Sequence, residues 1–552
     1  MNHSNFDSGD EAHEANLEIE KIDPNEIDDG SNSRLSIRNV TNLALPVTVF
    51  TVGSIGPTFY AVIISGSNFI TAKILSLGGA TDLAASGLIT SVLLLQRGFL
   101  HSPMNAVNVI SGEGVAHHDV ELVNASIQHG MTLSALSSIP LMLSSAFVGP
   151  ILTATGQDSD IADAAQEYFN GYLWGMYADA FLIATQQHAL ATNHAYSVYV
   201  STIFQKTLNL SLGYCLMEGK LGLPEMGLYG VGVSASVAAL ATFAGLNAYL
   251  IARKKILLPD ILNLKKAYTE RLSMLVRLLK EGLPISIRAG FDLASLALML
   301  QISGLLGETE LIAAEVTQQY YGLALIPVIG ASNTANSCVS MSLISDHPQD
   351  ARRYANIAYT AAVIPQIITI AMCLAYKPLT DFFINSADME LDEQDEILQQ
   401  TLAIFIINAF AISFDHTRNI SMHALQGLFD TAVPTGVNSA ASVLSIVGSY
   451  LAGITFGLGN TGIYSIKAVS AAAVASILIP RWILKIRNHT VTDEVSDRYE
   501  RIINLEKPVE TEKISENNNT FWNSRSNLSS NEEDILLDGH HQNEKSSWCN
   551  LM

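Results

Sequence analysis

Repeated apolar runs of about 20 residues, each long enough to carry a helix across a bilayer, constrain this chain more than any other feature. LASLALMLQISGLL, residues 293 to 306, contains no charge at all. A helix that is apolar on every face does not suit the outside of a water-soluble protein, whose surface helices need a polar side. The composition agrees: 15% of the 552 residues are charged and 49% are hydrophobic, against about 25% charged in soluble chains. The expected fold is an all-α polytopic membrane protein with about 12 spans. Their centres lie near Ile55, Leu94, Ser134, Tyr177, Thr207, Ala239, Leu296, Leu325, Ile368, Ile407, Ser445 and Ala473.

The net charge of -22 comes mainly from the two ends. Residues 1–40 hold ten acids and three bases, and residues 487–552 hold thirteen acids and seven bases. Both are rich in polar residues and poor in aromatics, so both read as disordered acidic tails. The first 40 residues have no apolar core, so no cleavable signal peptide is expected. Bases concentrate elsewhere, at Arg34 and Arg38, from Arg253 to Lys280, and at Arg481, Lys485 and Arg487. The opposite loops hold isolated bases such as Lys73, Lys220 and Lys377. By the positive-inside rule both termini and the middle linker are cytoplasmic, in a cell (inner) membrane. The acid-rich DMELDEQDE, residues 388–396, then reads as a solvated outer loop.

The two halves share short matches. GLPEMGLYG at 222–230 and GLGNTGIY at 457–464 align at an offset of 235, as do two copies of HAL at 188–190 and 423–425. The pairs LP at 45–46 and 283–284 lie 238 apart. The reading is two six-helix bundles in parallel relation, about an axis along the membrane normal. Its segments are a tail at 1–40, bundles at 41–256 and 281–486, a basic linker at 257–280 and a tail at 487–552.

Ionisable side chains inside spans are costly and mark ion or substrate paths. Asp292 heads the uncharged run, with Arg288 four residues earlier on the same helix face. That pair reads either as a pathway carboxylate with a modulating cation or as an internal salt bridge. Asp415 lies in AISFDHTRNISMHAL with His416, Arg418 and His423. Two carboxylates in one half suit a hard cation, which wants oxygen ligands, or a proton. Asp179, Glu315, Gln318 and Arg418 are further candidates for modulation or substrate contact, Glu315 lying near a span start where an interfacial place is the alternative. No pair of cysteines has metal-ligand spacing, and a metal is expected only as a coupling sodium ion. Without a phosphate-cradling loop or nucleophile elbow the chain is expected to be neither ATP-driven nor an enzyme. Cys549-Asn550-Leu551-Met552 has the form of a prenylation box.

These residues give the chain its resemblance to the multidrug and toxic compound extrusion (MATE) family. LALP at 43–46, GLP at 282–284, GLPEMGLYGVGVSAS at 222–236 and ALQGLFDTAVP at 424–434 follow the family's landmarks in order. The resemblance implies two six-helix lobes around a cleft, alternating access, and export of organic cations or similar compounds against sodium or protons. It implies that Asp292 and Asp415 bind the coupling cation and that Gln318 matches a glutamine of the eighth span. It departs from the family at Thr71, where many members carry an acid, with Asn68 nearby, and at Arg288. With a cation so close, Asp292 is expected to be partly locked and Asp415 to exchange its ion. Expected partners are a small-molecule substrate and membrane lipids, with the tails open to other proteins; no nucleic acid and no organic cofactor are expected. The rival readings are a flippase for a lipid-linked or amphipathic molecule and a transport-inactive scaffold.

Overall fold

The computed structural model describes residues 54–116, 119–253, 268–344, 348–384, 389–428 and 430–487. Residues 1–53 and 488–552, Cys549 among them, and residues 257–267 of the basic linker lie outside the described residues. Among those described, the regular structure is helical throughout. The first half comprises α1 (Ser54–Gly78), α2 (Ala80–Gln96), α3 (Asn105–Ala116), α4 (Val120–Ala146), α5 (Val148–Ala154), α6 (Ser159–Tyr172), α7 (Met176–Ala191), α8 (Ala195–Met217) and α9 (Gly227–Ala252). The second half comprises α10 (Tyr268–Gly304), α11 (Glu308–Ala324), α12 (Ile326–Ile344), α13 (Pro348–Thr360), α14 (Val363–Leu374), α15 (Tyr376–Ile384), α16 (Leu391–Gly427), α17 (Ala432–Tyr450) and α18 (Gly459–Arg487).

Seven helical stretches are long and apolar enough to cross a membrane, or eight if the bent pair α4–α5 counts as one. The expectation of about 12 is therefore met only in part, although all but one of the expected centres fall inside helices. Leu325 falls on the break between α11 and α12. Physical reasons for the difference are local. The breaks at Phe147 and Leu325 precede Pro150 and Pro327, neither of which has an N–H for the carbonyl four residues back. The α4–α5 pair bends there by 60°. In α10 only Ala289–Gly304 is apolar, and α8 carries Gln205, Lys206 and Asn209.

The acidic stretch is corrected in part. Asp388 lies outside the described residues, and Glu390 caps α16, so Asp392 and Glu393 form its first turn rather than a loop. Carboxylates there face the positive end of the helix dipole, which favours them. Two matched glycines occupy matching places, Gly222 (φ 79) before α9 and Gly457 (φ 67) before α18, in a backbone region that an L side chain rarely adopts.

The outer faces are apolar, with Ile367, Phe410 and Leu444 more than 60% exposed, as lipid-facing positions should be. The largest buried cluster joins both halves through Leu83 and Leu88 of α2, Leu311 and Ile312 of α11, and Phe405 of α16. α2 packs on α6 at one side and on α10 and α11 at the other. Helices in lipid associate through close backbone approach at small residues. At the α6–α9 crossing a Cβ on Gly171 would stand 2.2 Å from the Tyr229 carbonyl oxygen, and one on Gly232 would stand 2.0 Å from that of Tyr168.

Gly232→Ala should therefore lower the thermal midpoint of the purified protein in detergent, with an overpacking cost of roughly 1–3 kcal/mol. Gly245→Ala, at a site with no atom within 4 Å of the added Cβ, should leave the midpoint unchanged. Equal midpoints for the two variants would contradict the crossing.

Candidate functional site

A cavity of about 330 Å³ opens among six helices of the second half. Asp292 and Ser295 of α10, Tyr321 of α11, Ser332 of α12, Asp415, Arg418 and Asn419 of α16, Ser442 and Ser445 of α17, and Lys467 and Ser470 of α18 line it. The spacings are three or four residues within each helix, which puts each polar group on one helix face. These helices turn a polar stripe inward and an apolar surface outward.

The ionised groups form one connected network. The Asn438 side-chain amide donates to Asp292 Oδ1, and the Ser442 hydroxyl reaches the same oxygen at 3.5 Å. The Asn438 carbonyl oxygen accepts from Arg418 Nη1 at 3.3 Å. Arg418 Nη2 lies 3.2 Å from Asp415 Oδ1, and the Tyr321 hydroxyl donates to Asp415 Oδ2. Lys467 Nζ lies 3.7 Å from the centre of the Tyr321 ring and has no hydrogen-bond partner among the described residues. Asp415 is 3% and Lys467 8% exposed. An amide placed between a carboxylate and a guanidinium satisfies both, its N–H₂ toward one and its oxygen toward the other. Among the described side chains two carboxylates therefore stand against two cations.

Three residues singled out in the sequence, Asp292, Asp415 and Arg418, thus meet in one cavity. Arg288 lies on α10, but its side chain is outside the described ones; the partners of Asp292 among the described residues are Asn438 and Ser442. His416 faces away from the cavity, its Nε2 donating to the Ala358 carbonyl at 2.9 Å. Gln318 lines a different cavity, between the halves. Glu315 is corrected: it is fully buried rather than interfacial, because α11 starts at Glu308 and Glu315 lies two turns in, against Gly87 of α2. Its Oε1 accepts from Gln319 at 2.6 Å and Thr90 at 3.2 Å, and its Oε2 has no partner among the described residues. Asp179 accepts from the Tyr172 hydroxyl and the Gln205 amide, both at 3.1 Å, in the first half. The Asp430 of ALQGLFDTAVP serves packing: Arg481 grips both its oxygens, at 2.7 and 3.0 Å, tying the end of α16 to α18.

Lys467, Tyr321 and Asn438 were not singled out. Lys467 carried the signal that marked Asp292, one charge within the otherwise uncharged run from Gly459 to Ile479. Asn438 and Tyr321 carry no charge, and nothing in their local sequence separates them from other polar residues of a span.

The MatE family model matches residues 57–215 and 288–451, well over half of the chain. A protein of Bradyrhizobium diazoefficiens named "Probable multidrug resistance protein NorM" is 24% identical over 406 residues, covering 73% of this chain and 86% of that protein. A protein of the same name from Synechococcus sp. is 23% identical over 459 residues, covering 83% of this chain and 96% of the relative. Among solved structures, the "Inward-facing conformation of a multidrug resistance MATE family transporter of the MOP superfamily" aligns with a TM-score of 0.69 at 13% identity. That alignment covers 81% of this chain and all of the solved one, and it shows a shared fold.

Removing one partner of a buried ion pair costs roughly 3–5 kcal/mol, because the other charge is left uncompensated. Arg418→Gln should therefore lower the thermal midpoint markedly, and Asp415→Asn combined with Arg418→Gln should recover part of the loss. Strictly additive losses in the double variant would show that the two side chains do not act as a pair.

Proposed function

This chain belongs to the MatE family of multi-pass membrane transporters, and from that premise we propose that it is a secondary active exporter. It moves amphipathic organic compounds, organic cations among them, against an inward flow of sodium ions or protons. Three arguments support the reading: the NorM-named relatives, the polar cavity walled by apolar helices, and above all the meeting of Asp292 and Asp415 in that cavity.

The exchange follows from the pairing. Asp415 already holds a cation, the guanidinium of Arg418, at 3.2 Å. An incoming sodium ion or proton competes for the same carboxylate. When it binds, the Arg418 side chain is released from Asp415 and retains its contact to Asn438, which also binds Asp292. The network joins α10, α11, α16 and α17, so a change of partner at Asp415 is felt by four helices at once. Ser332 and Ser445 supply hydroxyl oxygens without hydrogen-bond partners among the described residues, the hard ligands that a sodium ion takes. Transport requires that ion and cargo differ in affinity for the two access states. The flippase reading wants an excess of positive charge around its cargo, whereas the described side chains of this cavity set two bases beside two acids. The asymmetry of Lys and Arg supports cytoplasmic termini in a cell membrane.

In proteoliposomes, a fluorescent organic cation should leave under a sodium gradient or a pH gradient imposed separately. Asp415→Asn should reduce the driven flux to that of protein-free vesicles, and Asp292→Asn should do so as well. Driven efflux at the wild-type rate in Asp415→Asn would overturn the assignment.

A further inference from the structure

A second cavity, of about 140 Å³, lies where α1, α2 and α6 of the first half meet α11 of the second. Its polarity differs from that of the first. Asn68, Thr71, Thr90, Tyr168 and Gln318 line it with Arg97, and no carboxylate does. Arg97 forms no ion pair among the described residues. The oxygens of Asp179, in the same half, are taken by Tyr172 and Gln205. Glu315 stands behind Thr90 and Gln319, which hold its Oε1, and does not line the cavity.

Local backbone geometry fixes where Arg97 sits. The helix that carries it leaves regular α geometry at that residue, with a π-helical turn over Arg97–His101 followed by a 3₁₀ turn at Ser102–Met104. Such turns recur at functional positions within helices. The Ser102 hydroxyl donates to the Arg97 carbonyl at 3.0 Å. Beside it, a Cβ on Gly98 would stand 2.9 Å from the Cα of Gly290, so this turn is pressed against α10 backbone to backbone. The guanidinium therefore comes from an anchored turn at the junction of the halves.

We propose that this cavity binds an oxyanion group, a carboxylate in the first place, carried by the exported amphipathic cargo. A half-buried guanidinium without an ion-pair partner among the described residues attracts an anion. A carboxylate restores the balance through a bidentate pair. The Asn68 and Gln318 amides supply neutral hydrogen-bond donors around it, whereas the Thr71 and Thr90 hydroxyls already donate to the Ser67 carbonyl and to Glu315 Oε1. The volume admits a small polar group and leaves the apolar body of the cargo outside it. Cargo that uses this cavity is thus a zwitterion or an organic anion, beside the organic cations that do not engage it. That the group belongs to a transported molecule rests on the export reading; the binding of the group does not.

The test uses a zwitterionic aminoxanthene dye with a free carboxylate and its cationic methyl ester, which differ in that group alone. Binding to the full-length protein in detergent is read by fluorescence anisotropy, and transport is read in proteoliposomes. The free acid should bind more tightly than the ester by at least about tenfold, the lower range for a charge-assisted hydrogen bond. Arg97→Gln should abolish that preference, and Arg97→Lys should keep part of it, which separates charge from misfolding. Equal binding of acid and ester, absence of acid binding, or a preference that survives Arg97→Gln would overturn the proposal. Preferential, Arg97-dependent binding without flux of either dye would uphold the site and count against the export reading instead.

Discussion

A charge carried into an apolar bundle must find its counterpart there, and this requirement organises the second half of the molecule. Asp415 and Lys467 are nearly excluded from solvent, and neither is tolerable alone among apolar helices. The solution is a run of contacts from Asp292 through Asn438 and Arg418 to Asp415 and Tyr321, capped by Lys467 over the Tyr321 ring. Each link comes from a different helix except Arg418 and Asp415, which share α16. The network thus sets which faces of α10, α11, α16, α17 and α18 turn toward one another. Among the described side chains it sets two acids beside two bases.

Much of this was legible in the sequence, for a reason that differs from residue to residue. Asp292 and Asp415 stood out because a charge inside an uncharged run is conspicuous, and both reached the cavity. Arg418 was weighed as a secondary contact and proves to be the partner of Asp415. The possible pairing of Asp292 with Arg288 rested on their four-residue spacing, and the Arg288 side chain lies outside the described ones; the described partners of Asp292 come from α17, a helix far away in sequence. Spacing along one helix reports shared faces and not what another helix brings to them. Glu315 shows the same limit: counting from the start of a span gives its depth, whereas its burial depends on Gly87 of α2 letting α11 approach. Pro150 and Pro327 break helices that hydropathy alone reads as continuous, and these breaks account for part of the difference in span count.

The two cavities divide the charge between them. That of the second half combines two acids with two bases, and that between the halves combines one base with neutral donors. A transporter whose ion and cargo sites differ in this way need not have both compete for the same carboxylate. The sites communicate through α11, which places Tyr321 at the first cavity and Gln318 at the second. Gln318 and Tyr321 are three residues apart, so a rotation or shift of α11 that follows a change at Asp415 moves a wall of both.

The most direct test of the account is the cation affinity of the purified protein with and without the guanidinium at position 418. Sodium binding would be followed by calorimetric titration at fixed pH, and proton uptake at fixed sodium, in wild type and Arg418→Gln. If Arg418 competes with the coupling cation for Asp415, its neutralisation raises the affinity for one of the two ions, by an amount on the order of tenfold for a lost like charge nearby. An affinity for both ions that is unchanged or weaker in Arg418→Gln would contradict the exchange at Asp415.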